Sequence, residues 1–207
     1  MSSQSSPLQV DPSRRQLLGA LATGALGVGA VGSFGLTGPA LSQELAPTPE
    51  CRDQPTEPQI EGPFYTPRSP ERADLLERDA KARVIELSGF VLTRSCQPVP
   101  RVLVDLWHAD DRGDYDDRGY RYRGHLITDA KGHFRFRTNV PGLYPGRTRH
   151  FHVKVLTVRR QLLTTQLYFP NEPGNTRDEF FRPALLMRTA DAGSDLAARF
   201  DIVLNLR

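Results

Sequence analysis

From Arg83 onward, apolar residues recur mostly at every second position, and each run is closed by a turn. A side-chain period of two sends alternate residues to opposite faces, so these runs read as strands. Arg83–Leu92 is the first, closed by a turn over Ser95–Pro100. Val102–His108 follows, with an apolar run suited to burial on both faces. Tyr122–Thr128 is a weaker strand. Asp129-Ala130-Lys131-Gly132 then turns the chain into His133–Thr138, with Phe134 and Phe136 on one face. After Pro141-Gly142, Arg149–Val158 and Leu163–Phe169 alternate again, and residues 170–180 read as loop. Phe200–Leu206 closes the chain, with Phe200, Ile202, Leu204 and Leu206 on one face. Short strands separated by frequent turns predict an all-β fold, an antiparallel β-sandwich with long loops and at most short helices. The 17 glycines and 17 prolines suit such a chain. The spacing predicts one short helix or helical turn over 70–81.

Upstream of the strands the composition shifts twice. Ser13-Arg14-Arg15-Gln16-Leu17-Leu18 opens a Gly- and Ala-rich stretch without charge to Gln43. A twin arginine before a weakly apolar region predicts an export signal of the twin-arginine type over residues 1–43, with Ala40-Leu41-Ser42 as a small-x-small cleavage site. The protein is then expected in the periplasm or outside the cell, with no stable membrane association after signal cleavage. Its many glycines make the stretch a poor spanning helix. Residues 44–59 are polar and proline-rich and read as an extended arm, leaving 60–207 as the globular domain. Cys51 and Cys96 are the two cysteines, and in an oxidising compartment they are expected to pair as a disulfide.

Charged residues make up 25% of the chain and the formal net charge is +3, with Arg and Asp interleaved rather than blocked. That argues against nucleic acid as a partner. Asp110, Asp111, Asp114, Asp116 and Asp117 lack the spacing of a calcium loop and read as solvated turn residues. Trp107 reads as core, and His108, His125 and His133 as structural or surface residues.

The chemistry concentrates in PGLYPGRTRHFHVKV, residues 141–155. His150 and His152, two apart on a strand, project from one face roughly 6–7 Å apart at the backbone. That suits two ligands of one ion; the pair alone reads as well as two solvent-facing histidines. Tyr115 and Tyr144 add hard anionic oxygens, which favour a ferric ion over zinc. Taken singly, each tyrosine also reads as a rim residue with a wet hydroxyl.

In order along the chain stand Val104-Asp105-Leu106-Trp107-His108-Ala109-Asp110, Gly113-Asp114-Tyr115, Pro141-Gly142-Leu143-Tyr144-Pro145, Arg147, His150-Phe151-His152 and Thr164-Thr165-Gln166. Together these segments resemble the intradiol ring-cleavage dioxygenases, the catechol, hydroxyquinol and protocatechuate dioxygenases, from about residue 60 to about 170. The resemblance implies a non-haem ferric ion, Fe(3+), held by Tyr115, Tyr144, His150 and His152. Tyr144 and His150 would be axial, Tyr115 and His152 equatorial. It implies cleavage of a catechol-type diol by O₂ to a cis,cis-muconate-type dicarboxylic acid. Tyr144, Arg147 and Gln166 would be the catalytic residues: Tyr144 would take a diol proton, Arg147 would stabilise charge on the ring and Gln166 would hydrogen-bond the substrate or orient Arg147. Gly62, Pro63, Phe64 and Tyr65 would line the substrate pocket. The six-position step from Tyr144 to His150 (150 − 144) is shorter than in the catechol and protocatechuate enzymes, which should trim a loop over the site. The long helical region through which catechol and hydroxyquinol enzymes dimerise has no counterpart here, so a homo-oligomer is left open. Two other readings stand beside this one. A transthyretin-like β-sandwich binding module would share the strands and turns without catalysis, and a copper or zinc enzyme would use the same histidines.

Overall fold

The computed structural model describes Leu45 and residues 54–206. The expected signal over 1–43 and Cys51, half of the expected Cys51–Cys96 disulfide, lie outside the described residues.

Two sheets pack face to face. The first comprises β2 (Leu103–Trp107), β3 (Arg123–Ile127), β5 (His150–Leu156) and β6 (Gln161–Tyr168), in the order β3-β2-β5-β6. Every pairing in it is antiparallel. The second is built on β1 (Val84–Thr93), which pairs with β4 (His133–Asn139), β8 (Asp195–Arg199) and β9 (Ile202–Leu204), while β7 (Arg188–Ala192) pairs with β8. A 3-10 turn at Pro183–Leu185 precedes β7. All-β architecture is as the alternation predicts, and the predicted strands fall within a residue or two of the observed ones.

The second sheet departs from the antiparallel expectation, because β8 and β9 run parallel to β1. The cause is local. The chain approaches β1 from the β7–β8 hairpin and continues in one direction along it, interrupted only at Phe200-Asp201. There Phe200 N donates to Ser88 O, at 3.0 Å, and the Asp201 carboxylate accepts Phe90 N, also at 3.0 Å. Gly89 permits this contact: a Cβ there would sit 1.9 Å from the Phe200 carbonyl oxygen. β7 and β8 themselves escape the periodicity argument, since TADAGSDLAAR alternates small and charged residues with little apolar contrast.

The helix expected over 70–81 does not form. Its backbone donors are taken by strand edges instead: Arg72 N bonds His125 O and Leu75 N bonds Arg137 O. His125 and Arg137 belong to different sheets, so this segment clasps the open side of the sandwich, with Leu75 fully buried beneath it. Between the sheets lie Leu87, Leu106, Phe134, Phe136, Phe151, Val153 and Val155, each at most 1% exposed. Burying side chains of this size contributes roughly 2 kcal/mol each relative to exposure.

Residues 54–60 form a strap. Thr56 N bonds Val203 O in β9 and Gln59 N bonds Thr164 O in β6, both at 2.8 Å. The strap thereby covers the outer edge of β6 at Thr164, while Met187 bonds the same edge at Tyr168. Beyond it, residues 61–65 fold back across the outer face of the first sheet.

Candidate active site

That outer face carries alternate residues of three neighbouring strands. The register sets Trp107 opposite His152 and His152 opposite Gln166, with His150 opposite Tyr168 in the next row. Phe151, Val153 and Val155 point the other way into the core. The alternation on β5 is therefore as predicted, but both of its faces are buried: His150, His152 and Lys154 are each 4% exposed. The solvent-facing alternative for the two histidines falls, because the fold-back over residues 61–65 and the loops bearing Tyr115 and Tyr144 cover them.

Tyr115 arrives from the loop after β2. The Asp110 carboxylate accepts the amides of Arg112 and Asp114, at 2.8 and 3.0 Å. Asp116 accepts those of Arg118, Gly119 and Arg121. These two aspartates organise the loop rather than sit in solvent, which corrects the reading of the acidic run. Burial pushes both carboxyls up, but the amide hydrogen bonds outweigh it and hold them below the usual carboxylate range. The loop is stitched to the turn that carries Tyr144. Gly142 N bonds Asp110 O at 2.7 Å. Gly113, at φ +96°, passes so close that a Cβ would lie 2.1 Å from the Leu143 carbonyl oxygen. This junction is why two tyrosines 29 positions apart (144 − 115) reach one cavity.

Three donor atoms converge. Tyr115 Oη lies 3.2 Å from His150 Nε2 and 3.0 Å from His152 Nε2, and the two Nε2 atoms are 3.1 Å apart. His150 Nδ1 donates to the Thr148 carbonyl at 2.7 Å, which leaves the lone pair on Nε2 aimed at the cluster. Trp107 stacks flat on His152, centroids 4.8 Å apart and planes 10° apart. Burial lowers the His150 pKa to about 4 and that of His152 well below its ordinary value, so both rings are neutral at pH 7. Burial likewise pushes the Tyr115 phenol up, partly offset by the Arg147 and Arg123 charges. Tyr144 lines the same cavity, half-buried, its ring edge-on to Tyr115 at 5.8 Å.

The arrangement fits an ion. Donors about 2.1 Å from a cation and at right angles lie about 3 Å apart, which matches the triangle observed. Two neutral imidazoles and a buried phenol that crowd their lone pairs into one volume are relieved by a cation, and only a strongly polarising one would ionise a phenol held up by burial. Among the described residues no group of three or more His, Cys, Asp or Glu could hold a metal, so an ion here needs the phenol. That weighs against the zinc and copper reading.

Beside the triangle stands a fixed polar chain. Arg147 Nη2 donates to Gln166 Oε1 at 2.6 Å, and Gln166 Nε2 donates to the Ile60 carbonyl at 3.0 Å. The strap therefore sets which end of the Gln166 amide faces Arg147. The Tyr168 hydroxyl lies 3.0 Å from Gln166 Oε1 and 2.8 Å from the Phe180 carbonyl. The Asp178 carboxylate accepts Arg147 Nε and the Thr148 and Phe180 amides. A cavity of about 180 Å³ joins these parts, walled by Gly62, Pro63 and Phe64 as expected. Phe64 stacks on Tyr115 at 4.6 Å.

Tyr65 departs from expectation: it does not line the cavity. Its ring carries the Lys154 ammonium at 3.4 Å and its hydroxyl donates to Asp105 at 3.1 Å, which hold it behind Trp107. Lys154 also pairs with Glu61. Trp107, read as core, is buried at the site instead, as a wall for His152. Tyr168, Asp178, Phe180 and Ile60 escaped the sequence reading. Tyr168 could have been found, since it shares a face with Gln166 two positions earlier; Asp178 and Phe180 sit in an irregular loop with no periodic signal.

Fold and site together define a two-sheet sandwich bearing an imidazole–phenol cluster on the outside of one sheet. The Dioxygenase family matches residues 60–205, and the chain belongs to it, among the intradiol ring-cleavage dioxygenases. The chain is 32% identical over 152 residues to the protocatechuate 3,4-dioxygenase beta chain of Burkholderia cepacia, covering 59% of this chain and 65% of that one. It is 27% identical over 150 residues to catechol 1,2-dioxygenase of Acinetobacter baylyi, covering 58% of this chain and 48% of that one. It thus spans less than two thirds of the length of these curated relatives. Among solved structures, the dioxygenase domain of a dioxygenase–carbohydrate-binding protein fusion from Streptomyces sp. SirexAA-E superposes with a TM-score of 0.72 at 49% identity, covering 74% of this chain and all of that one.

Proposed function

We propose that this chain is an oxidoreductase that cleaves a catechol-type diol with O₂, between the hydroxylated carbons, to a cis,cis-muconate-type dicarboxylic acid. The observation that carries this reading is the convergence of Tyr115 Oη, His150 Nε2 and His152 Nε2 beside the Arg147–Gln166 pair. Tyr115, Tyr144, His150 and His152 would hold Fe(3+), which when bound supplies the Lewis acidity and electron transfer that open an aromatic diol to O₂. The walls formed by Pro63 and Phe64 exclude water and orient the ring, removing its translational freedom. Tyr144, half-buried at the cavity wall, would take a diol proton as the phenolate that holds the ion, becoming a neutral phenol. Arg147, paired with Asp178, presents a guanidinium N–H donor to negative charge that develops on the ring, and Gln166 keeps that guanidinium in place.

Purified full-length protein loaded with iron is expected to be coloured by phenolate-to-iron charge transfer and to consume O₂ with catechol. A colourless, iron-free preparation without O₂ uptake would sink the reading. Tyr144→Phe is expected to change the colour and weaken catechol binding while leaving the fold intact. Export by the twin-arginine route and a Cys51–Cys96 disulfide belong to the same proposal, supported by Ser13-Arg14-Arg15 and the uncharged stretch after it. Mass spectrometry of the periplasmic fraction tests both; an intact N-terminus or two reduced thiols would contradict them.

A further inference from the structure

A catechol bound beside Tyr115, His150 and His152 presents two hydroxyls to that cluster and its other ring positions to the rest of the cavity. That remainder is apolar, formed by Ile60, Pro63, Phe64 and Phe180. Among the described residues, the one charged residue lining the cavity is Arg147. Its charge is already matched. Arg147 Nε lies 3.0 and 2.9 Å from the two Asp178 oxygens, and Nη2 is given to Gln166. The guanidinium also lies 4.7 Å from the centroid of the Phe180 ring. Asp178 cannot swing away, because its side chain is 1% exposed and also receives the Thr148 and Phe180 amides, each at 2.9 Å. That leaves Arg147 Nη1 to serve a substrate, as a donor within a pair of no net charge. Arg123, whose charge also acts on Tyr115, is turned toward the Asp116 carbonyl, at 3.0 and 2.6 Å, and does not line the cavity.

We propose that Asp178 is a specificity-determining residue: by neutralising Arg147 it makes the cavity accept catechols with neutral or apolar ring substituents and reject those with a ring carboxylate. This rests on the ring-cleavage reading above. A carboxylate buried here would lose water without gaining an unmatched counter-charge. An apolar substituent gains with every apolar wall it covers. The inference separates this chain from its 32% identical relative, which is named for protocatechuate, a catechol bearing a carboxylate.

The test is an anaerobic titration of the iron-loaded full chain with 4-methylcatechol, 3,4-dihydroxybenzamide and protocatechuate. Dissociation constants are read from the charge-transfer band, with O₂ uptake measured in parallel. The amide and the acid have nearly one shape and differ in charge. The wild type is expected to bind both neutral compounds on the order of tenfold tighter than the acid. Asp178→Asn, checked for folding by its melting transition, is expected to bring the acid-to-amide ratio to one or beyond. A purely structural role for Asp178 would weaken all three ligands alike. If the asparagine variant does not fold, Asp178→Ser, whose hydroxyl can still accept the Phe180 amide two residues on, is read in the same way. Equal binding of acid and amide by the wild type, or an unchanged ratio in a folded variant, overturns the inference while O₂ uptake with 4-methylcatechol leaves the ring-cleavage reading standing. A wild type that binds none of the three and consumes no O₂ overturns both.

Discussion

Trp107 lies flat on His152, ring centroids 4.8 Å apart. The contact fixes the plane of an imidazole whose Nδ1 has no hydrogen-bond partner among the described residues. His150 is oriented by a hydrogen bond, whereas His152 is oriented by a stack. Trp107→Leu should therefore loosen His152 while leaving His150 in place. An iron-to-protein ratio measured after dialysis should fall, with metal affinity reduced about tenfold or more. Unchanged iron content in a folded variant would show that the stack does not position the ligand.

Gln166 connects the strap to the site through one amide, Nε2 to Ile60 and Oε1 to Arg147. Gln166→Ala removes the group that holds Arg147 Nη2 without touching the imidazole cluster. Turnover of catechol is expected to fall roughly ten- to a hundredfold at nearly constant iron content. The measurement is kcat alongside the charge-transfer spectrum; loss of colour in step with turnover would assign Gln166 to metal retention instead.

Gly113→Ala puts a methyl group into the seam between the Tyr115 loop and the Tyr144 turn, at a φ that L-residues rarely adopt. The seam should open by local displacement, with a cost of about 1–3 kcal/mol. Because the core lies elsewhere, the melting temperature should drop modestly while the colour is lost. A variant that keeps its full visible spectrum would show that the two tyrosines are not held together by this junction.

His108 is buried against the site-bearing loop, Nδ1 2.7 Å from the Ala109 carbonyl and Nε2 2.7 Å from Thr138 Oγ1. Burial lowers its pKa to about 4, against an ordinary value of 6.5. The unfolded chain then binds a proton that the folded chain refuses, so the stabilisation is complete above pH 6.5 and is lost as the pH falls toward 4. The contribution amounts to up to about 3 kcal/mol across that window. Urea unfolding midpoints measured between pH 7 and 4.5 should decline, and His108→Asn should remove its share of the decline, leaving that of His150 and His152, while lowering stability at pH 7. A wild-type profile without a slope in this interval would refute the assignment.

The strands and the ligand face were legible because they rest on periodicity. His150, His152, Gln166 and the core phenylalanines all sit where a two-residue repeat puts them. What the sequence hid depends on contacts distant in the chain. The segment around Leu75 has helical composition, but its amides are taken by His125 and Arg137 from two different sheets. Phe200-Asp201 breaks a strand in a way that only the close approach of Gly89 explains. Trp107 looked like core because burial alone does not reveal which side of a sheet a residue faces. Asp178 lies in a loop whose shape follows from what it binds, and no local pattern marks it.

The strap has a consequence for how the molecule is made. Thr56 shares hydrogen bonds with Val203, 147 positions away, and the wall at Pro63 and Phe64 continues from that anchored segment. Contacts of such separation close late, after the loop entropy between them has been spent. A chain still emerging from the ribosome can lay its arm on β6 through Gln59, but the Thr56 anchor has no partner until β9 has been made. Completion of the cavity wall is therefore a late event: the first part of the globular domain to be translated waits for a strand far downstream before its anchor is complete.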